Sequence, residues 1–180
     1  IGAVAAHQLS VTLLNTALFP LFDGIFSEAK DVGSLFGAVF DLTLYALAAR
    51  RPALFKPLPF LLAAFACIAI GLAAMIGGIA VQNPAVLAAG ACVRSAGASW
   101  IGCLLMLALV SLLERRGGKA LLVCLCAGWA ASYVLEGACS LLDTDAQLAV
   151  FVATPFLEAA LVYRMSAGAC TQTAAAPPTA

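Results

Sequence analysis

Apolar residues run through this chain in blocks of about twenty, with the polar residues gathered between the blocks. A membrane-spanning helix needs about 20 mostly apolar residues at 1.5 Å rise, and six blocks approach that length. The first covers 3–22 and ends near "LFPLFDG", where Pro20 and Gly24 break the pattern. The second, 33–49, is stopped by Arg50, Arg51 and Pro52. The third covers 59–81, and the fourth runs from Pro84 to Leu113, longer than the hydrocarbon thickness requires, which predicts tilt or an exposed end. The fifth and sixth cover 120–142 and 146–165, and Pro155 is expected to kink the last. The remaining stretch, 167–180, is polar and rich in Ala and Pro, with nothing to bury; a disordered cytoplasmic tail is expected. The pattern therefore predicts an all-α integral membrane protein, a six-helix bundle over residues 1–166.

Composition supports this. Apolar residues make up 64% and charged residues 10% of 180 positions, against roughly 25% charged in a soluble domain. Mean hydropathy is +1.06. There is too little charge to wet a surface, so the partner of most of that surface is a lipid bilayer. The net charge is zero, which leaves no basic footprint for nucleic acid. The chain opens on Ile1 without a basic, cleavable leader, and it reads as processed or cut from something longer.

Six spans put alternate loops on opposite sides. Arg50, Arg51, Lys56, Arg115, Arg116 and Lys119 fall in the loops after spans two and four, and Arg164 ends span six on the same side. The other loops carry Asp23, Glu28, Asp31, Asp143 and Asp145, with Lys30 as their one basic residue. By the positive-inside rule both termini are expected to be cytoplasmic.

Candidate chemistry comes from the polar residues inside the spans. Asp41, Arg94, Glu136 and Glu158 each cost about 2.5–3.5 kcal/mol at a helix centre, so they should face protein or a hydrated cavity. Asp41, Arg94 and Glu136 lie roughly 9–15 Å from the outer loops at helical rise, with Glu158 deeper. Each sits on a row of small residues: Gly33, Gly37, Asp41 and Tyr45; Gly90, Arg94 and Ala98 beside Ser95 and Ser99; Cys124, Gly128, Ser132 and Glu136. Such rows allow close helix approach in a membrane. Arg94 is expected to pair with Glu136 or Asp41. Gln8, Thr12 and Asn15 give span one a polar stripe toward the same region. The pair reads first as a lock on helix register, then as part of a small-molecule pocket, and last as part of a proton relay.

His7 reads as interfacial, and Trp100 and Trp129 as packing residues. The seven cysteines sit mostly in apolar runs without a C-x-x-C pair, and they read as small hydrophobes rather than metal or disulfide positions. No nucleophile elbow, zinc-protease motif or phosphate loop is present, so no catalytic residue, metal or cofactor is expected.

The stretch "NPAVLAAGACVRSAGASWIGCLLMLALVSLL", followed by "CAGWAASYVLEGACSLL" and "FVATPFLEAALVYR", resembles the membrane region of LuxR-type transcriptional regulators of the Coriobacteriia. That region is distantly similar to the major facilitator superfamily. The most specific part is Arg94 to Trp100, with Arg94, Ser95 and Trp100 as matching residues. The resemblance covers about 10–166 and implies one six-helix half, without the helix-turn-helix. It implies a sensory domain that binds a small molecule and signals to a cytoplasmic DNA-binding output outside this chain. The competing reading is half of a secondary transporter, completed by a homodimer or by a second six-helix half.

Overall fold

The computed structural model describes residues 1–13 and 27–173. All regular structure in them is helical: α1 (Gly2–Leu13), α2 (Ser27–Arg50), a 3₁₀ turn at Pro52–Leu54, α3 (Pro57–Ala80), α4 (Pro84–Cys139) and α5 (Thr144–Thr173). Four stretches are long and apolar enough to cross a membrane: 31–50, 57–80, 84–139 and 144–166. The chain is thus a helical protein of the multi-pass membrane type.

The count of four differs from the six spans that the pattern predicts, for two reasons. Residues 14–22 of the first predicted span lie outside the described residues. The fourth and fifth spans run together in α4, whose 56 residues are interrupted at Gly117 (φ 78°, ψ 173°). A straight helix would separate Gly102 from Gly128 by about 39 Å. Yet His7 lies against Gly102 and Val4 against Gly128, within one turn of α1. The chain therefore turns back at Gly117, and α4 consists of two arms, 84–116 and 118–139.

Gly117 sits in a backbone region that only glycine occupies readily, while a Cβ there would meet nothing within 4 Å. Gly117→Ala should therefore lower stability by about 1–3 kcal/mol through backbone strain alone. Gly118→Ala, without a positive φ, should leave it unchanged. Thermal unfolding of both variants in detergent micelles checks this.

The first arm of α4 is the hub. It packs against α3 through glycines: a Cβ on Gly71 would stand 2.4 Å from the Arg94 amide nitrogen, one on Gly78 2.7 Å from that of Leu87, and one on Gly97 2.6 Å from the Ala64 carbonyl oxygen. These pairings run in opposite sequence directions, so α3 and this arm are antiparallel. On another side, Gly33 meets Ala91 and Gly37 meets Ser95, which makes α2 parallel to it. The close backbone approach supplies the dispersion contacts that hold helices together where lipid is as apolar as leucine.

Helix ends are set locally. Asn83 caps α4, its Oδ1 accepting from the amides of Ala85 at 3.0 Å and Val86 at 3.3 Å. Asp143 Oδ1 accepts from the Ala146 amide at 2.8 Å at the start of α5. Pro155 lies buried inside α5, and the preceding Thr154 hydroxyl donates to the Val150 carbonyl at 2.6 Å. α5 continues to Thr173, into the stretch read from sequence as a tail; residues 174–180 lie outside the described part.

The basic loops share one end of the bundle. Arg50, Arg51 and Lys56 follow α2, while Arg115, Arg116 and Lys119 flank the turn that ends the parallel arm of α4; all six are exposed. The outward faces are apolar: Leu35, Val39, Leu42, Leu62, Ile70, Ile76, Leu122, Val123 and Val134 are all exposed, as lipid-facing positions are.

Candidate functional site

Between α1, α2, the first arm of α4 and α5 lies a cavity of about 320 Å³ with polar walls. Each element contributes through the same small-residue logic that packs it. On α2, Gly33 and Gly37 bring the backbone to the first arm of α4, and Ser34, Asp41 and Tyr45 on that side open onto the space left. On α4, the backbone of Arg94 is pressed against Gly71, while Arg94, Ser95 and Ser99 line the cavity. From α1 come His7 and Ser10, and from α5 comes Glu158.

Arg94 and Glu158 are buried, at 6% and 3% exposure. His7 Nδ1 lies 2.7 Å from Glu158 Oε1, the length of a charge-assisted bond. The field of Glu158 also acts on Arg94, and that of Asp41 acts on His7 and Tyr45. The Arg94 guanidinium carbon stands 5.1 Å from the centroid of the Phe151 ring, within cation–π reach. Oδ1 of Asp41 is buried and has no hydrogen-bond partner among the described residues.

Four of the candidate residues thus meet around one cavity: Asp41, Arg94, Ser95 and Glu158. Three do not. Glu136 is half-buried on the second arm of α4 and does not line the cavity, so the expected Arg94–Glu136 pair is not formed. Nor does Arg94 approach Asp41 within ion-pair distance; Glu158 is the carboxylate that acts on it. Ser132 is buried but donates to the Trp129 carbonyl at 2.8 Å on its own helix. Trp100 packs between Phe40 and Phe60, with ring centroids at 6.3 and 5.9 Å, away from the cavity. Asn15 lies outside the described residues. Trp129, expected to be packed, is 53% exposed on the outer face.

His7, Ser10, Ser99 and Tyr45 were not among the candidates. His7 and Ser10 share a face of α1 one position from the Gln8–Thr12 stripe, which is about 100° around a helix. The available signal was the histidine itself, a polar side chain in an apolar block. Among the described residues no group of three or more His, Cys, Asp or Glu is placed to hold a metal ion.

A second, larger cavity of about 730 Å³ lies nearer the basic end, lined mainly by apolar side chains such as Phe55, Leu104 and Met106, with Glu114 and Ser166 at its rim. Tyr45 lines both cavities.

No protein-family model, curated protein or solved structure matches the chain.

Proposed function

We propose that the chain is a six-crossing membrane domain with its basic end in the cytoplasm, binding a small molecule in the polar cavity as the input of a sensory system. The observation that carries this reading is the cavity itself. Four separate helical segments place ionisable side chains around one space, and among the described residues one Asp41 carboxylate oxygen has no protein partner. A lock on helix register would close its charges on one another. Its volume is at the small end of ligand sites, which span about 300–1,000 Å³. α2, α3, the two arms of α4 and α5 supply five crossings, and the apolar block 3–22 read from the sequence supplies the sixth. The resemblance to the membrane region of LuxR-type regulators adds the direction of signalling, toward a cytoplasmic DNA-binding output on another segment.

Ligand-dependent thermal stability in detergent tests the reading. A small-metabolite panel should contain members that raise the melting temperature of wild type and of Glu136→Gln, whose side chain lies off the cavity. The same members should leave Arg94→Ala unmoved. A folded wild type that no member stabilises overturns it.

One observation favours a second reading, a half-transporter acting as a dimer. The two cavities follow the α2–α4 seam toward opposite ends of the bundle and share Tyr45 as a common wall. A carrier should move its ligand into proteoliposomes under a pH gradient. The sensory reading expects binding without flux.

A further inference from the structure

His7 and Glu158 are each other's contact at 2.7 Å. That leaves two charged groups around the same cavity. Among the described residues, Arg94 has no carboxylate within 4.0 Å and no hydrogen bond; its contacts are the Phe151 ring at 5.1 Å and the field of Glu158. A guanidinium carries five N–H donors, and an aromatic face accepts none of them as a carbonyl would. Asp41 is the mirror case, with a buried carboxylate oxygen that accepts nothing. A buried oxygen that accepts nothing is costly, and Asp41 and Arg94 together are an anion and a cation held apart on neighbouring helices.

Their register is fixed by the glycine contacts. Gly33 against Ala91 and Gly37 against Ser95 put Asp41 level with Ser99 on the parallel helix. Asp41 is therefore about 7 Å further along the bundle axis than Arg94, at 1.5 Å per residue. Ser95 lies next to Arg94 and Ser99 at the level of Asp41, on the same wall.

We infer that this cavity takes a small zwitterion of the amino-acid class, its carboxylate on Arg94 and its ammonium on Asp41. The inference rests on the small-molecule reading of the cavity and specifies the ligand. A monocarboxylate would leave the Asp41 charge without a counter-charge, and a simple amine would leave that of Arg94 so. A zwitterion satisfies both and enters without net charge, which reduces the desolvation cost of reaching the site.

The test is binding to the full chain in detergent, by calorimetry or thermal shift, with seven probes: glycine, β-alanine, γ-aminobutyrate, L-alanine, acetate, methylamine and glycerol. At least one amino acid should bind, and bind tighter than acetate and methylamine. Asp41→Asn should weaken that amino acid by about 10–100-fold, the worth of one charged hydrogen bond, while leaving acetate no weaker. Arg94→Gln should weaken amino acid and acetate together, with Arg94→Lys recovering part of both. Far-ultraviolet circular dichroism and elution as one species establish that each variant is folded, and Asp41→Asn, nearly isosteric, tests the inference even where the Arg94 variants fail to fold. Preference for acetate or methylamine over every amino acid overturns the zwitterion but keeps the pocket. Equal loss of acetate and amino acid in Asp41→Asn also overturns it. Binding of none of the seven overturns it as well; the broader metabolite panel then decides separately whether the pocket reading stands.

Discussion

Gly71→Ala should be among the most damaging single substitutions in the chain, although it adds one methyl group. The new Cβ would stand 2.4 Å from the Arg94 amide nitrogen and 2.7 Å from its Cα and Cβ. These are backbone and near-backbone atoms, which have no rotamer by which to give way. The only relief is to push α3 and the first arm of α4 apart along their most extensive seam. Overpacking typically costs about 1–3 kcal/mol, and a backbone neighbour puts this case at or above the upper end. The same shift moves the Cα of Arg94, so ligand binding should fall with stability. Gly77→Ala is the control: nothing lies within 4 Å of its Cβ, and replacing a helical glycine there should add about 0.5–1 kcal/mol. Equilibrium unfolding in mixed micelles measures both. A Gly71→Ala protein as stable as wild type would show that the two helices do not touch at this register.

Gly71 also shows what the sequence made legible and what it hid. The apolar blocks and the bracketing Pro, Gly and Arg residues mark the helices, because lipid admits almost nothing but helix and each block must be long enough. They do not say how arms are joined, and the turn at Gly117 is visible only once His7 and Val4 are seen against Gly102 and Gly128. Rows of small residues correctly place Asp41, Arg94 and Ser95 on packed faces. A row names the face, however, and not the neighbour. Three helices present small residues near the level of Arg94, and sequence separation gave no reason to choose Glu158 over Glu136. That choice is made by α1, which runs antiparallel to α5 with Gly2 beside Leu161 and His7 beside Glu158. The described part of α1 is 12 residues long, and its polar face was misread by a single position. In a helix one position is enough to exchange a lipid-facing residue for a cavity-lining one.

Glu158→Leu should be the costliest substitution at the cavity, because one buried carboxylate faces both the His7 ring and the Arg94 guanidinium. Glu158 is buried, bonded to His7 at 2.7 Å, and its field reaches Arg94. Breaking a buried pair from one side typically costs about 3–5 kcal/mol, since the partner charge is left uncompensated. His7→Leu should cost less, because Glu158 keeps the field of Arg94 and the His7 ring is partly exposed, at 31%. The decisive protein is the triple variant His7→Leu, Arg94→Met and Glu158→Leu. Apolar replacements of a whole buried charge network are often neutral or stabilising, so the triple should recover most of what Glu158→Leu loses. It should nevertheless bind no ligand. Recovery of stability without recovery of binding would show that the fold does not need these charges while the occupant does. If Glu158→Leu alone unfolds within about 1 kcal/mol of wild type, far below the cost of opening a buried pair, then Glu158 is hydrated, and the cavity is not closed in the way these contacts describe.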